Sequence, residues 1–315
     1  MRKVFTLVFL LTSLCYVNAQ TTRHLGQMVP SGKGYGVPAP VDAQTGKIVN
    51  PDTVITGNGI NYHNGPIMPG TVNMYFIWYG NWVNGPKPSD TQTTVNLINS
   101  LVTGLSGSGY EKINSTYGDN SNNVSGNLHI AGSITNNYSG GKRLSDKAIK
   151  TVVSNAITTG ALPKDTNGVY FVLTSSDVTA SSGFCTQYCG WHTHATISSS
   201  DIKYAFVGNP DRCPTACEEE TISPNGDSGA DGMASILAHE TEEAISDPDL
   251  NAWYDGSGAE NADKCAWKFG PVTGQLGNGG YNQTLGGLHW LIQMNWENAR
   301  KGGCDQTLGG TFYNN

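Results

Sequence analysis

Residues 145–173 read SDKAIKTVVSNAITTGALPKDTNGVYFVL, and this stretch decides the fold class. Its first half, residues 145–158, spaces Ile149, Val152, Val153 and Ile157 three or four apart, as on one face of a helix. Its second half holds Gly168-Val169-Tyr170-Phe171-Val172-Leu173, an apolar run short enough to be a buried strand. A helix followed by such a strand belongs to an α/β or α+β domain. The alternation continues in both directions. Upstream, residues 72–79 (VNMYFIWY) are β-branched and aromatic and predict a strand. Residues 90–105 carry Val95, Ile98, Val102 and Leu105 near one face and predict a helix with Asp90 as N-cap. Residues 127–134 predict a strand. Downstream, residues 204–207 predict a strand, residues 231–245 a helix, and residues 288–296 a last, alternating strand. The expectation is one α/β (or α+β) domain with a mixed central sheet and no internal repeat.

Composition bounds the rest. The chain has 315 residues, 18 basic and 25 acidic side chains, and a formal net charge of −7. That length can bury a sizeable core. Charged residues make up 14%, below the roughly 25% of ordinary soluble domains. Collagen-like and wholly disordered readings are excluded, because 40 Gly and 14 Pro stay under the low-complexity range. An acidic balance without a Lys/Arg block argues against nucleic acid as the main partner. Met1-Arg2-Lys3 is a basic start, residues 4–17 are apolar, and Val17-Asn18-Ala19 places small residues for cleavage after Ala19. The expected organisation is a signal peptide over 1–19, an extended arm over 20–65 and the folded domain over 66–315. No later stretch reaches about 18 apolar residues. A secreted, extracellular protein with no membrane partner after cleavage is expected.

Secretion changes how the cysteines read. Cys15 leaves with the signal; Cys185, Cys189, Cys213, Cys217, Cys265 and Cys304 remain, and an oxidising compartment implies disulfides. The two C-x-x-x-C pairs suggest local loops, Cys185 with Cys189 and Cys213 with Cys217, leaving Cys265 for Cys304. A zinc site built from both C-x-x-x-C pairs is the alternative. The sequons at Asn114, Asn123, Asn137 and Asn282 fit a glycoprotein, and three of them place the 106–140 stretch at the surface.

Acid is concentrated. Seven of the nine Glu fall between residues 218 and 260, and at their centre is Ala238-His239-Glu240-Thr241-Glu242-Glu243-Ala244. Residues four apart share a helix face, so His239 and Glu243 can hold one ion. Glu240 lies about 100° away, within the stripe of Met233, Ile236, Leu237 and Ala244, with no Lys or Arg in the helix. A carboxylate there is costly without a partner such as a metal-bound water. Glu242 is expected to face solvent. This is the logic of the H-E-x-x-H zinc peptidases with Glu in place of the second His. There, the ion lowers the pKa of a bound water and the intervening Glu takes its proton. Glu260 or Asp263, in Ala259-Glu260-Asn261-Ala262-Asp263-Lys264-Cys265, can supply the third ligand, and a bridged Cys265 would pin that return. The alternatives are an acidic solvated face, or Ca²⁺ in place of Zn²⁺. His192 and His194 could approach the same ion from a strand, but read more readily as surface-loop residues. Asp247-Pro248-Asp249 is a helix stop or a Ca²⁺ site. Trp78, Tyr79, Trp82, Trp253, Tyr254, Trp267, Trp290 and Trp296 read mostly as core, with a sugar-binding platform as the alternative.

These residues resemble a known family. Ile77-Trp78-Tyr79-Gly80, the run from Phe184-Cys185 to Trp191-His192, Cys213-Pro214 with Cys217, and Ala238-His239-Glu240 to Glu243 are similar to the phosphate-induced protein 1, or EXORDIUM, family. So are Asn251-Ala252-Trp253-Tyr254, the run Glu260 to Cys265, and Gln293-Met294-Asn295-Trp296. The resemblance spans roughly residues 65–296 and implies a secreted protein of the cell wall or apoplast. Plant members are linked to cell expansion and to hormone and carbon-status responses. No catalytic activity is firmly attached to the family. Its matching residues include His239, Glu240, Glu243, Glu260, Asp263 and Cys185, Cys189, Cys213, Cys217 and Cys265. Thr241, Glu242, the 106–140 stretch and the Cys304 tail depart from the plant pattern.

The leading expectation is therefore a zincin-like, disulfide-stapled domain. His239, Glu243, Glu260 and Asp263 would hold Zn²⁺, with Ca²⁺ the alternative, and Glu240 would be the base of a metal-dependent hydrolase. The partner would be an extracellular peptide or a cell-wall component. The rival is a non-catalytic extracellular protein binding glycan or protein. The enzyme reading requires these side chains to converge, with no Lys or Arg filling the site. The glycan reading requires exposed, coplanar aromatics.

Overall fold

The computed structural model describes residue 33 and residues 59–299 and 302–313. The expected signal peptide and nearly all of the expected arm lie outside the described residues. The chain runs β1 (Asn61–Tyr62), β2 (Gly70–Tyr79), α1 (Gln92–Leu105), β3 (Val124–Asn136), β4 (Arg143–Leu144), α2 (Asp146–Thr158), β5 (Gly168–Thr174) and β6 (Thr179–Ala180). It continues with β7 (Gly190–Ile197), β8 (Ser200–Gly208), α3 (Pro214–Cys217), α4 (Ser228–Ser246), β9 (Trp253–Tyr254), β10 (Gln283–Leu285), β11 (Leu288–Trp290), β12 (Asn295–Glu297) and β13 (Gly303–Asp305).

The fold is α/β with a mixed central sheet. Its order is β3-β2-β5-β8-β7, parallel throughout except β7, which pairs antiparallel with β8. β5 is buried at every position, as expected of a strand covered on both faces. The connections β2-α1-β3 and β3-α2-β5 run in opposite directions along the sheet. Right-handed crossovers therefore put α1 and α2 on opposite faces. Ser145 caps α2 by accepting from the Ala148 N–H, as its sequence suggests. Helix α1 is capped by Thr91 rather than Asp90. Asp90 is instead buried, its carboxylate taking the Ser176 N–H at 2.7 Å and the Ser176 hydroxyl at 2.5 Å.

Three other expectations change. The last strand is broken into β11 and β12, because the Asn282 side chain clamps the backbone between them. Its Oδ1 accepts the Ile292 N–H (2.9 Å) and its Nδ2 donates to the carbonyls of Ile292 (2.6 Å) and Phe269 (2.8 Å). That Nδ2 is the atom a glycan would occupy. Asn114 is likewise buried, donating to the Glu242 carbonyl at 2.9 Å, so only Asn123 and Asn137 present exposed sequons. The disulfides are Cys185 to Cys213, Cys189 to Cys217 and Cys265 to Cys304. The first two are parallel rungs between two chain segments rather than local loops, and they leave none of those four thiols free for the alternative zinc site. The aromatics, by contrast, follow the expectation: seven of the eight candidates are buried and Trp253 is half-buried, so they form core and not an exposed platform.

Candidate metal centre

Helix α4 carries the acidic run through the middle of the molecule. Asp227 caps it by accepting the Ala230 N–H at 2.9 Å, and every residue after Ser228 is buried. A helix enclosed on all sides has no solvated face. Glu242, expected in solvent, is fully buried, because a second layer formed by residues 111–117 and β12 covers that side of α4. Its carboxylate accepts from the Asn295 side chain at 2.5 Å.

On the opposite side lies the edge strand β7. Gly190 and His192 share the face of β7 turned to α4. The approach is close: a Cβ on Gly190 would lie 2.6 Å from Ile236 Cγ2 and 2.8 Å from Glu240 Oε1. His192 stands opposite the small Ala205 of β8. The third wall is the turn at residues 260–265, closed by the bridge from Cys265 to Cys304.

These three elements bring His192, His239, Glu240, Glu243, Glu260 and Asp263 together. His192 Nδ1 lies 3.5 Å from both Glu240 Oε2 and Glu243 Oε2, and its Nε2 lies 3.6 Å from Glu260 Oε1. His239 Nε2 lies 3.0 Å from Glu243 Oε1 and 3.6 Å from Asp263 Oδ1. The Asp263 N–H donates to Glu243 Oε1 at 3.0 Å. Five of the six side chains are at most 1% exposed; Asp263, at 20%, faces solvent. Neither ring nitrogen of His192, neither oxygen of Glu240, Glu243 Oε2 nor Glu260 Oε1 has a hydrogen-bond partner. Among the described residues, their ion pairs are with one another and include no Lys or Arg.

The electrostatics follow from crowding charge in a buried space. Burial pushes Glu240 up to about 7, against the pull of His192 and His239. Burial and Glu243 together push Asp263 up to about 7. Burial also opposes charge on the imidazoles, but the surrounding carboxylates outweigh it: His239 rises to about 9 and His192 well above its usual value. Glu243, between the two imidazoles, falls to about 2 despite burial. Two imidazoles and four carboxylates form a nitrogen–oxygen donor set suited to zinc, manganese or iron. Two groups have ligand atoms mutually close enough for one ion: His192, Glu240 and Glu243, and His239, Glu243 and Asp263.

All five residues singled out in the sequence are thus adjacent. His192, which read more readily as a surface-loop residue, is buried in a strand beside them. Its signal was the alternation from Gly190 to His192. His194, two residues on, is partly exposed and pairs with Asp201 at 2.8 Å; Lys203 also sits there, 3.0 Å from Asp249. Asp247 takes the N–H groups of Asn251 and Ala252 at 2.6 and 2.5 Å, as a helix stop does.

The family model described as "Phosphate-induced protein 1 conserved region" matches residues 60–300. The chain belongs to the phosphate-induced protein 1 family. Among its relatives, Protein EXORDIUM-like 5 of Arabidopsis thaliana is 34% identical over 276 residues, 75% of each chain. Protein EXORDIUM-like 3 of the same plant is 32% identical over 274 residues, covering 76% of this chain and 81% of the relative. Protein PHOSPHATE-INDUCED 1 of Nicotiana tabacum is 28% identical over 227 residues, covering 62% of this chain and 67% of the relative. No solved structure matches the chain. The matched region contains β7, α4 and the 260–265 turn.

Proposed function

We propose that this family member is an extracellular metalloprotein that holds a divalent transition-metal ion, zinc first, between α4, β7 and the 260–265 turn. The carrying observation is His192: a buried imidazole whose two nitrogens make no hydrogen bond and whose ion-pair partners, among the described residues, are all carboxylates. A buried group of this kind is costly unless something satisfies it. The imidazole content disfavours Ca²⁺, which takes oxygen ligands. Extracellular location is supported by the basic–apolar start of the sequence and the three disulfides. It is also consistent with the finding that no described helix is long and apolar enough to cross a membrane.

A second reading, zincin-like hydrolysis of an extracellular peptide or cell-wall component, is favoured by one observation. Asp263 is 20% exposed, and neither oxygen of the buried Glu240 makes a hydrogen bond. When bound, the ion would supply Lewis acidity. His239, Glu243 and Asp263 would hold it, and Glu240 would accept a proton on a free carboxylate oxygen.

Elemental mass spectrometry of the secreted protein, purified without added metal, tests both readings. At least one equivalent of zinc, manganese or iron, lost in His239→Ala, is expected. A metal-free protein whose melting temperature does not respond to added zinc would overturn the proposal. For the second reading, Glu240→Gln should keep the metal and lose peptide cleavage.

A further inference from the structure

We infer that the centre holds two divalent ions, with Glu243 bridging them. This rests on the metal-binding reading above and deepens it. Glu243 belongs to both ligand groups, and it meets them through different atoms. Its Oε1 faces His239 (3.0 Å), in the group completed by Asp263, whereas its Oε2 faces His192 (3.5 Å), in the group completed by Glu240. A carboxylate presenting one oxygen to each of two such groups is a bridge. Ions held in this way sit about 3.5–4 Å apart, the spacing of two-metal hydrolytic sites.

Charge points the same way. Glu240, Glu243, Glu260 and Asp263 are four carboxylates in one enclosure, with no Lys or Arg paired to them among the described residues. With neutral imidazoles, one divalent ion leaves two of these four charges uncompensated and two ions leave none of them. The buried Asp247 carboxyl, which also acts on Glu260 and Glu243, adds to the demand for positive charge. Uncompensated buried charge is strongly disfavoured.

The inner ion takes Nδ1 of His192, Glu240 and Glu243; the outer takes His239, Glu243 and Asp263. Glu260 then has a distinct part. Its Oε1 lies nearest the other nitrogen of His192, at 3.6 Å. That is the placement of a carboxylate that orients a ligating imidazole by accepting its second N–H. Glu240 becomes a ligand of the inner ion, so the base assignment of the hydrolytic reading would pass to another group. The cluster of His194, Asp201 and Asp249 does not compete, because the Lys203 ammonium already lies between its carboxylates.

The test is metal stoichiometry and manganese electron paramagnetic resonance on the full-length secreted protein, stripped with chelator and reloaded with Mn²⁺. The expected result is two equivalents with an exchange-coupled spectrum, falling to one equivalent with an isolated-ion spectrum in His192→Gln. One equivalent in the wild type, unchanged in His192→Gln and lost in His239→Ala, would overturn the second ion and leave the single-ion reading intact. No bound ion overturns both. Two uncoupled equivalents, one of them lost in His194→Ala, would place the second ion at the surface and also overturn the inference. If His192→Gln does not fold, the wild-type stoichiometry and spectrum decide the matter alone.

Discussion

Helix α4 buries carboxylates on two sides, and the two sides are built differently. Toward β7, Glu240 and Glu243 meet two imidazoles, and Glu243 is shared between two ligand groups. Toward residues 111–117, Glu242 meets Glu111, with both residues fully buried. Among the described residues, neither carboxyl is paired with an imidazole on that side. The surroundings are amides: Asn295 donates to the Glu242 carboxylate, and Asn114 and Asn261 donate to its backbone carbonyl at 2.9 and 3.2 Å. Burial pushes Glu111 up to about 8 and Glu242 well above its usual range. Two facing carboxyls can share a proton and dispense with any ion. The lesson is that buried acid alone does not define a metal centre. Nitrogen donors and a shared carboxylate separate one side from the other.

The sharpest break in this comparison is Glu243→Ala. Loss of the shared ligand should leave metal content near zero in elemental analysis. The melting temperature should fall to that of the chelated wild type, a loss on the order of 3–5 kcal/mol. Retention of full metal would refute the role assigned to this residue. Next in size is Gly190→Ala. The added methyl meets Ile236 and Glu240 and should push β7 off α4, costing about 1–3 kcal/mol in a urea titration and part of the metal.

Glu218 extends the comparison to a buried acid without an imidazole. Burial, then Asp211, pushes it up to about 8. The folded state therefore binds a proton that the unfolded chain releases near pH 4.5, so stability falls as pH rises from about 5 to 8. Glu218→Gln should flatten that fall by about 1 kcal/mol across pH-dependent melts while leaving metal content unchanged. An unchanged slope would remove Glu218 as its source. The smallest effect is expected for Glu242→Gln: full metal, and a stability change under about 1 kcal/mol by chemical denaturation. Metal loss in that variant would show that the two sides of α4 are not independent.

The sequence made one side of α4 legible because His239, Glu240 and Glu243 fall within five residues, and helical geometry alone gathers them. Glu260 and Asp263 were reachable because Cys265 marks a pinned return. His192 was harder to place. It sits on a strand whose hairpin turns through Ser198 and Ser199, both at positive φ (47° and 61°), without the Asn-Gly signal such turns usually carry. Glu242 was misplaced because a periodicity argument assumes one wet face, and α4 has none. Cys265 to Cys304 is as expected, whereas the other four cysteines pair across segments; they were misread because a spacing of four within a segment suggests a local loop. Two segments with the same spacing can instead be laid side by side and bridged in register. The interleaving of helices and strands, by contrast, follows from apolar patterning that leaves little choice.

Those parallel bridges set an order of events. Cys189 lies three residues before His192, and its partner Cys217 lies on the approach to α4. The rungs therefore fasten the strand bearing one imidazole to the segment leading into the helix bearing the other. In a compartment that keeps thiols reduced, that fastening is missing, and the two halves of the centre are held only by packing. For the proposed centre this makes assembly sequential, oxidation before metallation: the metal supply relevant to the proposal is the one met after the thiols have closed, not the one present where the chain is made.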